Sequence, residues 1–200
     1  MSNNTAVLLV DPYNDFLHPN GKLYGVLEES LAHTETIRHL HQLVFEAREN
    51  KIPMFYCLHQ RTNAHSYNDW QMMNRSLRTL EKNKVFEEGS FGVQFFEGLE
   101  PDVGNGDVVV SKHWNNLHYQ LQQRGIRNLV IGGLVANTCI EATARYAYEL
   151  GYNLTMLTNA TAGFSTRQKD AATELIWPLF ADKVITVQEW AKSISFQPNM

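Results

Sequence analysis

Three side chains with reactive groups each follow a short run of apolar residues. They are Asp11, Lys112 and Cys139. A carboxylate can accept a proton, an ammonium can stabilise a neighbouring negative charge, and a deprotonated thiol is a strong nucleophile. Brought together, these three groups could hydrolyse an amide through a covalent intermediate.

Cys139 is the candidate nucleophile because of the sequence around it. The apolar run at residues 129–132 ends just before the segment 133–145, which opens a predicted helix that stops at Gly151. A cysteine at such a strand-to-helix junction lies where backbone N–H groups converge and the helix dipole is positive, which favours the thiolate. The alternative is a small buried thiol that packs against the start of the helix.

Six apolar runs alternate with longer amphipathic stretches along the chain. The runs are rich in valine, isoleucine and leucine, as expected for strands that are buried on both faces. They lie at residues 6–10, 52–58, 107–110, 129–132, 154–157 and 183–187. The alternation predicts an α/β fold with three α-β-α layers around an open, mainly parallel, Rossmann-like sheet. Functional groups in such sheets collect at the carboxyl ends of the strands, which is where the three reactive side chains stand.

The stretches between the runs predict helices. Apolar residues at three- and four-residue intervals over 37–47 predict an amphipathic helix that begins near Ser30. Further helices are predicted at residues 117–124, 140–150 and 166–180. Pro178 should interrupt the last of them. Residues 65–98 are the least regular stretch, and we expect a helix and loops there that border the site.

The composition is typical of one globular domain, which we expect to span residues 1–200. Of the 200 residues, 44% are hydrophobic and 19% are charged, enough for a sizeable core. A net charge of −4 without a basic stripe argues against a nucleic-acid partner. The run at 6–10 is too short for a membrane span or a signal peptide, and Cys57 and Cys139 show no metal-type pairing. We therefore expect a cytoplasmic protein with two reduced thiols and no membrane partner.

Three motifs resemble those of a known enzyme family. Residues 11–16, Asp-Pro-Tyr-Asn-Asp-Phe, resemble the D-x-x-N-D-F opening of the isochorismatase-like cysteine hydrolases. Residues 112–114 and 133–145 are similar to that family's second and third motifs, in the same order. The resemblance covers nearly the whole chain and implies the isochorismatase-like hydrolase fold. Members with a cysteine at this position mostly cleave C–N bonds, among them nicotinamidases, carbamoylsarcosine amidohydrolases and ureide or biuret hydrolases.

The resemblance also implies roles for particular residues. Asp11 would take the proton of Cys139, and the thiolate would attack an amide or imide carbonyl. Lys112 would lie close to both, lowering the pKa of the thiol and keeping Asp11 ionised. The family has a cis peptide bond that falls here at Leu134–Val135. It would turn the Val135 N–H toward the site, where this group and the Cys139 N–H would form an oxyanion hole.

The segment after the second predicted strand departs from the nicotinamidases. Those enzymes carry an Asp-x-His metal motif there, whereas this chain reads His-Gln-Arg-Thr at residues 59–62. We therefore expect no catalytic metal and no cofactor, and we disfavour nicotinamide as the substrate. The segment after Lys112 is also several residues shorter than in relatives, which alters that wall of the pocket.

Three further residues are candidates for substrate contact. Phe16 and Trp114 directly follow catalytic motifs and are expected to line the pocket, although both could be core aromatics. His59 ends the second predicted strand and could hydrogen-bond the substrate. Its alternative is an ordinary loop histidine whose hydrogen bonds are satisfied locally.

The expected function is hydrolysis of a C–N bond in a small amide, imide or ureide through a thioester. Relatives commonly associate, so a homo-oligomer is also expected. One alternative is vinyl ether hydrolysis, in which the aspartate acts as an acid and Cys139 is not needed. Another is a non-catalytic member of the family that binds a small molecule.

Overall fold

The computed structural model describes residues 4–110 and 116–195, which contain one parallel sheet. Its six strands have the order β3-β2-β1-β4-β5-β6. The strands are β1 (Thr5–Val10), β2 (Met54–Cys57), β3 (Val108–Val109), β4 (Asn128–Leu134), β5 (Asn153–Ala162) and β6 (Lys183–Ile185). All five strand pairings are parallel. Each strand coincides with a predicted apolar run, and β4 and β5 extend beyond theirs.

Helices cover both faces of the sheet and complete the three predicted layers. The α-helices are α1 (Asn14–Leu17), α2 (Tyr24–His33), α3 (Thr36–Glu49), α4 (Arg75–Lys82), α5 (Leu117–Gln123), α6 (Glu141–Glu149), α7 (Thr166–Asp170) and α8 (Val187–Ser195). Alternate residues of β1 point to opposite faces, as the two-residue period of a strand requires. Val7 and Leu9 join the apolar cluster that includes residues of α2, α3 and α8, whereas Leu8 joins the cluster that includes residues of α5 and α6. The predicted α/β fold class is confirmed.

Two predicted helices are divided in the structure. The helix expected from Ser30 is two helices, because Glu35 takes a left-handed backbone conformation with φ of 47° between α2 and α3. The helix expected at 166–180 continues beyond α7 as a wider π-type turn over Ala171–Ile176. It then ends in a short 3-10 turn over Trp177–Leu179, where Pro178 lies near the start as the interrupting residue.

Asp15 ties the loops around the end of β1 together. Its buried carboxylate accepts hydrogen bonds from the backbone N–H of Phe86, at 2.8 Å, and of Lys22, at 3.1 Å. Gly92 leaves room for this carboxylate, since a Cβ there would lie 2.2 Å from Oδ1. Asp15 therefore has a structural role beside the candidate site. No helix within the described ranges is long and apolar enough to cross a bilayer.

Candidate active site

The central strand pair brings the candidate aspartate and cysteine to the same edge of the sheet. Strands β1 and β4 are neighbours, with Val10 opposite Gly133, and the strand order runs outward from this pair in both directions. A crevice forms at the carboxyl ends of parallel strands where the order reverses, and ligands bind there in many open α/β sheets. Asp11 directly follows β1, and Cys139 lies on the turn that follows β4.

Gly133 allows the two strands to come this close. Its φ is 122°, a conformation that residues with a side chain rarely adopt. A Cβ at this position would lie 2.1 Å from the carbonyl oxygen of Val10 and 2.6 Å from its nitrogen. Both of these are backbone atoms of a central strand, so neither can move aside without loss of the sheet pairing.

Cys139 lies on a wide turn, Ala136–Ile140, that leads from β4 into α6. The Val135 carbonyl accepts the N–H groups of Thr138, at 3.1 Å, and Ile140, at 3.2 Å, which holds the turn in place. The peptide bond between Leu134 and Val135 is cis. The Cys139 side chain is half-buried, and its sulfur is hydrogen-bonded by the Val135 backbone.

The thiol of Cys139 donates a hydrogen bond to the carboxylate of Asp11. Asp11 is only 2% exposed, and its Oδ1 also accepts the backbone N–H of His59. Burial raises the pKa of Asp11 to about 6, although the hydrogen bond and charge of His59 and the hydrogen bond from Cys139 act in the opposite direction. A carboxyl with a pKa near 6 is suited to exchange a proton near neutral pH.

The thiol is protonated in the resting site formed by the described residues. Burial, the negative charge of Asp11 and its acceptance of the thiol hydrogen together raise the pKa of Cys139 to about 12. The predicted preference for the thiolate relies also on Lys112, which lies outside the described residues, so it stays a prediction. Because the carboxylate is in contact with the thiol, the thiolate can form by transfer of the proton to Asp11.

A cavity of about 720 Å³ opens over this pair. Its described lining residues are Val10, Asp11, Tyr13, Cys57, Leu58, His59, Gln60, Arg61, Val109, Val110, Cys139, Ala142 and Thr143. His59, a predicted substrate contact, is on this wall, and its ring lies 4.6 Å from that of Phe86. The Nδ1 atom of His59 lies 3.0 Å from the Gln60 carbonyl oxygen, so part of its hydrogen-bonding capacity is used locally.

Phe16 is a core residue and does not line this cavity. It is 3% exposed, and its ring packs 5.2 Å from that of Phe86. It lies in α1, all of whose residues are buried, so its side chain faces the hydrophobic core. The stretch 65–98 likewise contributes no lining residue and supports the wall from behind through Phe86. Lys112 and Trp114 fall outside the described residues.

Sequence reasoning missed three residues of the cavity wall that have titratable side chains. Tyr13 lies within the first motif, in which the sequence predicts roles for Asp11 and Phe16 only. Arg61 lies in the segment 59–62, where the nicotinamidases carry their metal motif, and no role is predicted for it from sequence. Cys57 lies in the second apolar run, and the only prediction for it is a reduced thiol. It lines the same cavity as Cys139, and burial and the charge of Asp11 raise its pKa far above the ordinary range.

Within residues 4–110 and 116–195, no group of three or more histidine, cysteine, aspartate or glutamate side chains is placed to hold a metal ion. The Asp11–Cys139 pair places a carboxylate beside a thiol in the cavity.

Comparisons with known proteins agree with this fold. A probable inactive nicotinamidase of Arabidopsis thaliana is 26% identical over 198 residues, covering 96% of this chain and 97% of that protein. A ureidoacrylate amidohydrolase of Agrobacterium fabrum is 30% identical over 138 residues, covering 64% and 59% of the two chains. The crystal structure of a cysteine hydrolase from Pseudomonas syringae pv. phaseolicola superposes with a TM-score of 0.76 at 22% identity. That match covers 96% of this chain and 93% of the other.

The sequence pattern that defines the isochorismatase domain matches residues 5–189, nearly the whole chain. This match includes β1, β4 and the turn that carries Cys139. The chain belongs to the isochorismatase family of hydrolases.

Proposed function

We propose that this protein is a cysteine-dependent hydrolase that cleaves a C–N bond in a small amide, imide or ureide. The observation that carries the proposal is the hydrogen bond between the Cys139 thiol and the buried Asp11 carboxylate inside an open cavity. A nucleophile in contact with its base is the arrangement that covalent catalysis requires. The ureidoacrylate amidohydrolase among the relatives is named for a C–N cleavage, which favours the same reaction class here.

The reaction would proceed in two halves. Asp11 accepts the thiol proton, and the Cys139 sulfur forms a bond to the substrate carbonyl carbon. The carbonyl oxygen becomes negatively charged and receives hydrogen bonds from the N–H groups of Val135 and Cys139. Asp11 then donates its proton to the departing nitrogen, which leaves an acyl thioester on the sulfur. In the second half water gives its proton to Asp11 and attacks the thioester, releasing the acid and restoring the thiol.

The Val135 N–H supports this assignment of the oxyanion hole. Its backbone already hydrogen-bonds the Cys139 sulfur, so it lies beside the atom that would attack the carbonyl. Losing one such donor typically reduces catalysis by about 10²–10³-fold. Lys112 completes the proposed triad, where its ammonium would stabilise the ionised carboxylate and the developing thiolate.

The direct test is a turnover screen of small amides, ureides and cyclic imides. Ammonia release reports on the first two classes, and loss of ultraviolet absorbance reports on opening of the imide ring. We expect at least one class to be hydrolysed, and Cys139→Ala to lower turnover by about 10³-fold or more because no acyl intermediate can form. Full activity in Cys139→Ala would end the proposal.

Alkylation of the two thiols tests the assignment of Cys139 as the nucleophile, with Cys57 as an internal control. Iodoacetamide should modify Cys139 before Cys57, because Cys139 has Asp11 as a base and burial raises the pKa of Cys57 further. Peptide mapping by mass spectrometry measures the two rates in one sample. Faster modification of Cys57 would contradict the assignment of Cys139 as the nucleophile.

Two other functions give different outcomes when a small vinyl ether is added to the screen. Vinyl ether hydrolysis would survive in Cys139→Gly, because an aspartate alone can protonate the substrate. A non-catalytic binding protein would bind candidate ligands without releasing product, an alternative favoured by the probable inactive relative in Arabidopsis. The Asp11–Cys139 contact argues for turnover, since binding alone does not require a nucleophile beside a base.

The pH dependence of catalysis follows from the raised pKa of Asp11. We expect kcat/KM to increase with pH and to level off above an apparent pKa of about 6, because only the ionised carboxylate can accept the thiol proton. Replacement of Lys112 by methionine should move this midpoint upward, since an adjacent cation favours the ionised form. Lys192→Met, at an exposed site on α8, should leave it in place. An unchanged midpoint in Lys112→Met would place that ammonium away from Asp11.

A further inference from the structure

The cavity wall carries a guanidinium without an acidic partner. Arg61 lines the cavity and is exposed to it. Four ion pairs are present among residues 4–110 and 116–195, and none of them involves Arg61. An arginine presents five N–H donors in a planar fork, and a carboxylate is the partner that this geometry fits best.

The backbone on both sides of Arg61 is fixed. On one side, the His59 N–H is bonded to the Asp11 carboxylate. On the other, the Thr62 N–H donates to the Phe86 carbonyl at 2.8 Å, and the Thr62 carbonyl accepts the Glu88 N–H at 2.7 Å. The Thr62 side chain is buried while that of Arg61 is exposed. The guanidinium therefore extends from a backbone segment that hydrogen bonds hold in place, as expected for a residue that recognises a ligand.

Tyr13 orients the side chain of Arg61. The phenol of Tyr13 is hydrogen-bonded to Arg61 and also donates to the His59 carbonyl at 3.5 Å. Tyr13 itself is 1% exposed and packs against the rings of Phe86 and Phe95, at 5.7 and 6.0 Å. Its hydroxyl uses only part of the donor set of the guanidinium. The remaining N–H groups are available to a ligand in the cavity.

The described cavity wall carries little negative charge of its own. Asp11 is the one carboxylate among the described lining residues, and it is already engaged by the His59 N–H and the Cys139 thiol. The remaining titratable groups there are Tyr13, Cys57, His59, Arg61 and Cys139. Burial raises the pKa of the tyrosine and of both cysteines, which favours their neutral forms, and histidine and arginine side chains carry no negative charge.

We propose that Arg61 binds a carboxylate of the substrate, so that this enzyme acts on small amides or ureides that carry a negatively charged group apart from the scissile carbonyl. This assignment rests on the proposed function for the reaction itself. Arg61 is a specificity-determining residue in it and takes no part in bond cleavage. A carboxylate held in two parallel hydrogen bonds would fix both the position and the direction of the substrate relative to the sulfur.

Charge-selective alkylation tests Arg61 without a known substrate. Iodoacetate and iodoacetamide are similar in size and differ in charge, and both modify thiols. We expect the ratio of iodoacetate to iodoacetamide rates at Cys139 to fall by about tenfold or more in Arg61→Met, the loss of one charge-assisted interaction. Arg38→Met removes the same charge at an exposed ion pair with Glu35 and should leave the ratio unchanged. A ratio equal in wild type and Arg61→Met would overturn the proposal.

Paired substrates test the same inference during turnover. Succinamate and succinamide have nearly the same shape, as do 3-ureidopropionate and its amide, and only the first of each pair carries a carboxylate. We expect wild type to favour a carboxylate by about tenfold or more in kcat/KM, mainly through KM, and Arg61→Met to bring the pair near parity. Tyr13→Phe should weaken the preference in part.

The outcomes separate the two proposals. Cys139-dependent turnover without a carboxylate preference, or with one that persists in Arg61→Met, would overturn the role of Arg61 and leave the hydrolase intact. Turnover that survives in Cys139→Ala would overturn the cysteine mechanism. The alkylation ratio would still decide whether Arg61 attracts an anion into the cavity.

Discussion

Replacement of Asp11 by asparagine is expected to lower kcat by about 10²–10⁴-fold and, at the same time, to stabilise the fold at neutral pH. The amide cannot accept the thiol proton, and Cys139, whose pKa is raised by burial, then has no adjacent base. Asparagine is the suitable substitution because Asp11 has a φ of 49°, a conformation that asparagine also tolerates. Its side-chain oxygen can still accept the His59 N–H.

The stability effect follows from the pKa of the buried carboxyl, which rises from 3.8 to about 6 on folding. Well below pH 3.8 the group is protonated in both states, and it opposes folding least there. As the pH rises toward 6 the unfolded state ionises first, so wild type loses stability until the folded carboxyl has also ionised. A shift of this size corresponds to roughly 2–3 kcal/mol, and burial of the new amide offsets part of it.

Urea unfolding at pH 4, 6 and 8 measures this directly. We expect the advantage of Asp11→Asn in the free energy of unfolding to grow by about 2–3 kcal/mol between pH 4 and pH 8, because burial of the new amide does not depend on pH. A difference that is independent of pH would contradict the raised pKa of Asp11. Asp11→Asn with wild-type kcat would remove Asp11 from the mechanism.

Replacement of Gly133 by alanine is expected to prevent stable folding. The added Cβ would lie 2.1 Å from the Val10 carbonyl oxygen, and the φ of 122° is unfavourable for alanine in any surroundings. Relief would require β1 and β4 to separate at the centre of the sheet. We expect a loss of about 4 kcal/mol or more, which is a large part of the stability of an ordinary domain and should appear as insoluble or unfolded protein.

Gly25→Ala is the matched control for this prediction. Gly25 lies in α2, and no atom comes within 4 Å of the Cβ that would be added. Alanine is the better helix former, so the free energy of unfolding should stay the same or increase by up to about 1 kcal/mol. Circular dichroism during urea unfolding compares the two variants. A soluble Gly133→Ala protein with the wild-type midpoint would contradict the close approach of the two strands.

The sheet could be predicted from sequence because each strand is marked by the apolar residues within it. Each strand lies in an apolar run, and β1, β3, β4 and β6 are rich in valine, isoleucine and leucine, whereas β2 reads Met-Phe-Tyr-Cys. The alternation of these runs with helices predicts the parallel arrangement. The division between α2 and α3 could not be predicted, because residues 33–36 contain no glycine or proline to mark the end of a helix. The break depends on the left-handed backbone at Glu35, a residue type that carries no strong signal for that conformation.

The residues of the site could be predicted from sequence only where they belong to a recognised motif. Asp11 and Cys139 stand out because each follows a strand, and the structure brings them into hydrogen-bonding contact. Phe16 was assigned to the pocket because it follows Asp15, but position in a motif does not determine which way a side chain faces. Tyr13 and Arg61 could not be paired from sequence, since their contact depends on how the segment after β2 is held against Phe86.

The register of β1 against β4 sets the geometry of the reacting atoms. Val10 pairs with Gly133, so the residue after one strand and the turn after the other begin from a common level. A slip of one residue would displace Asp11 by about 3.3 Å along the strand and direct its side chain to the opposite face. Molecules with misaligned central strands would therefore be compact but inactive. The fraction of active molecules in a preparation would then measure how accurately β1 and β4 have paired.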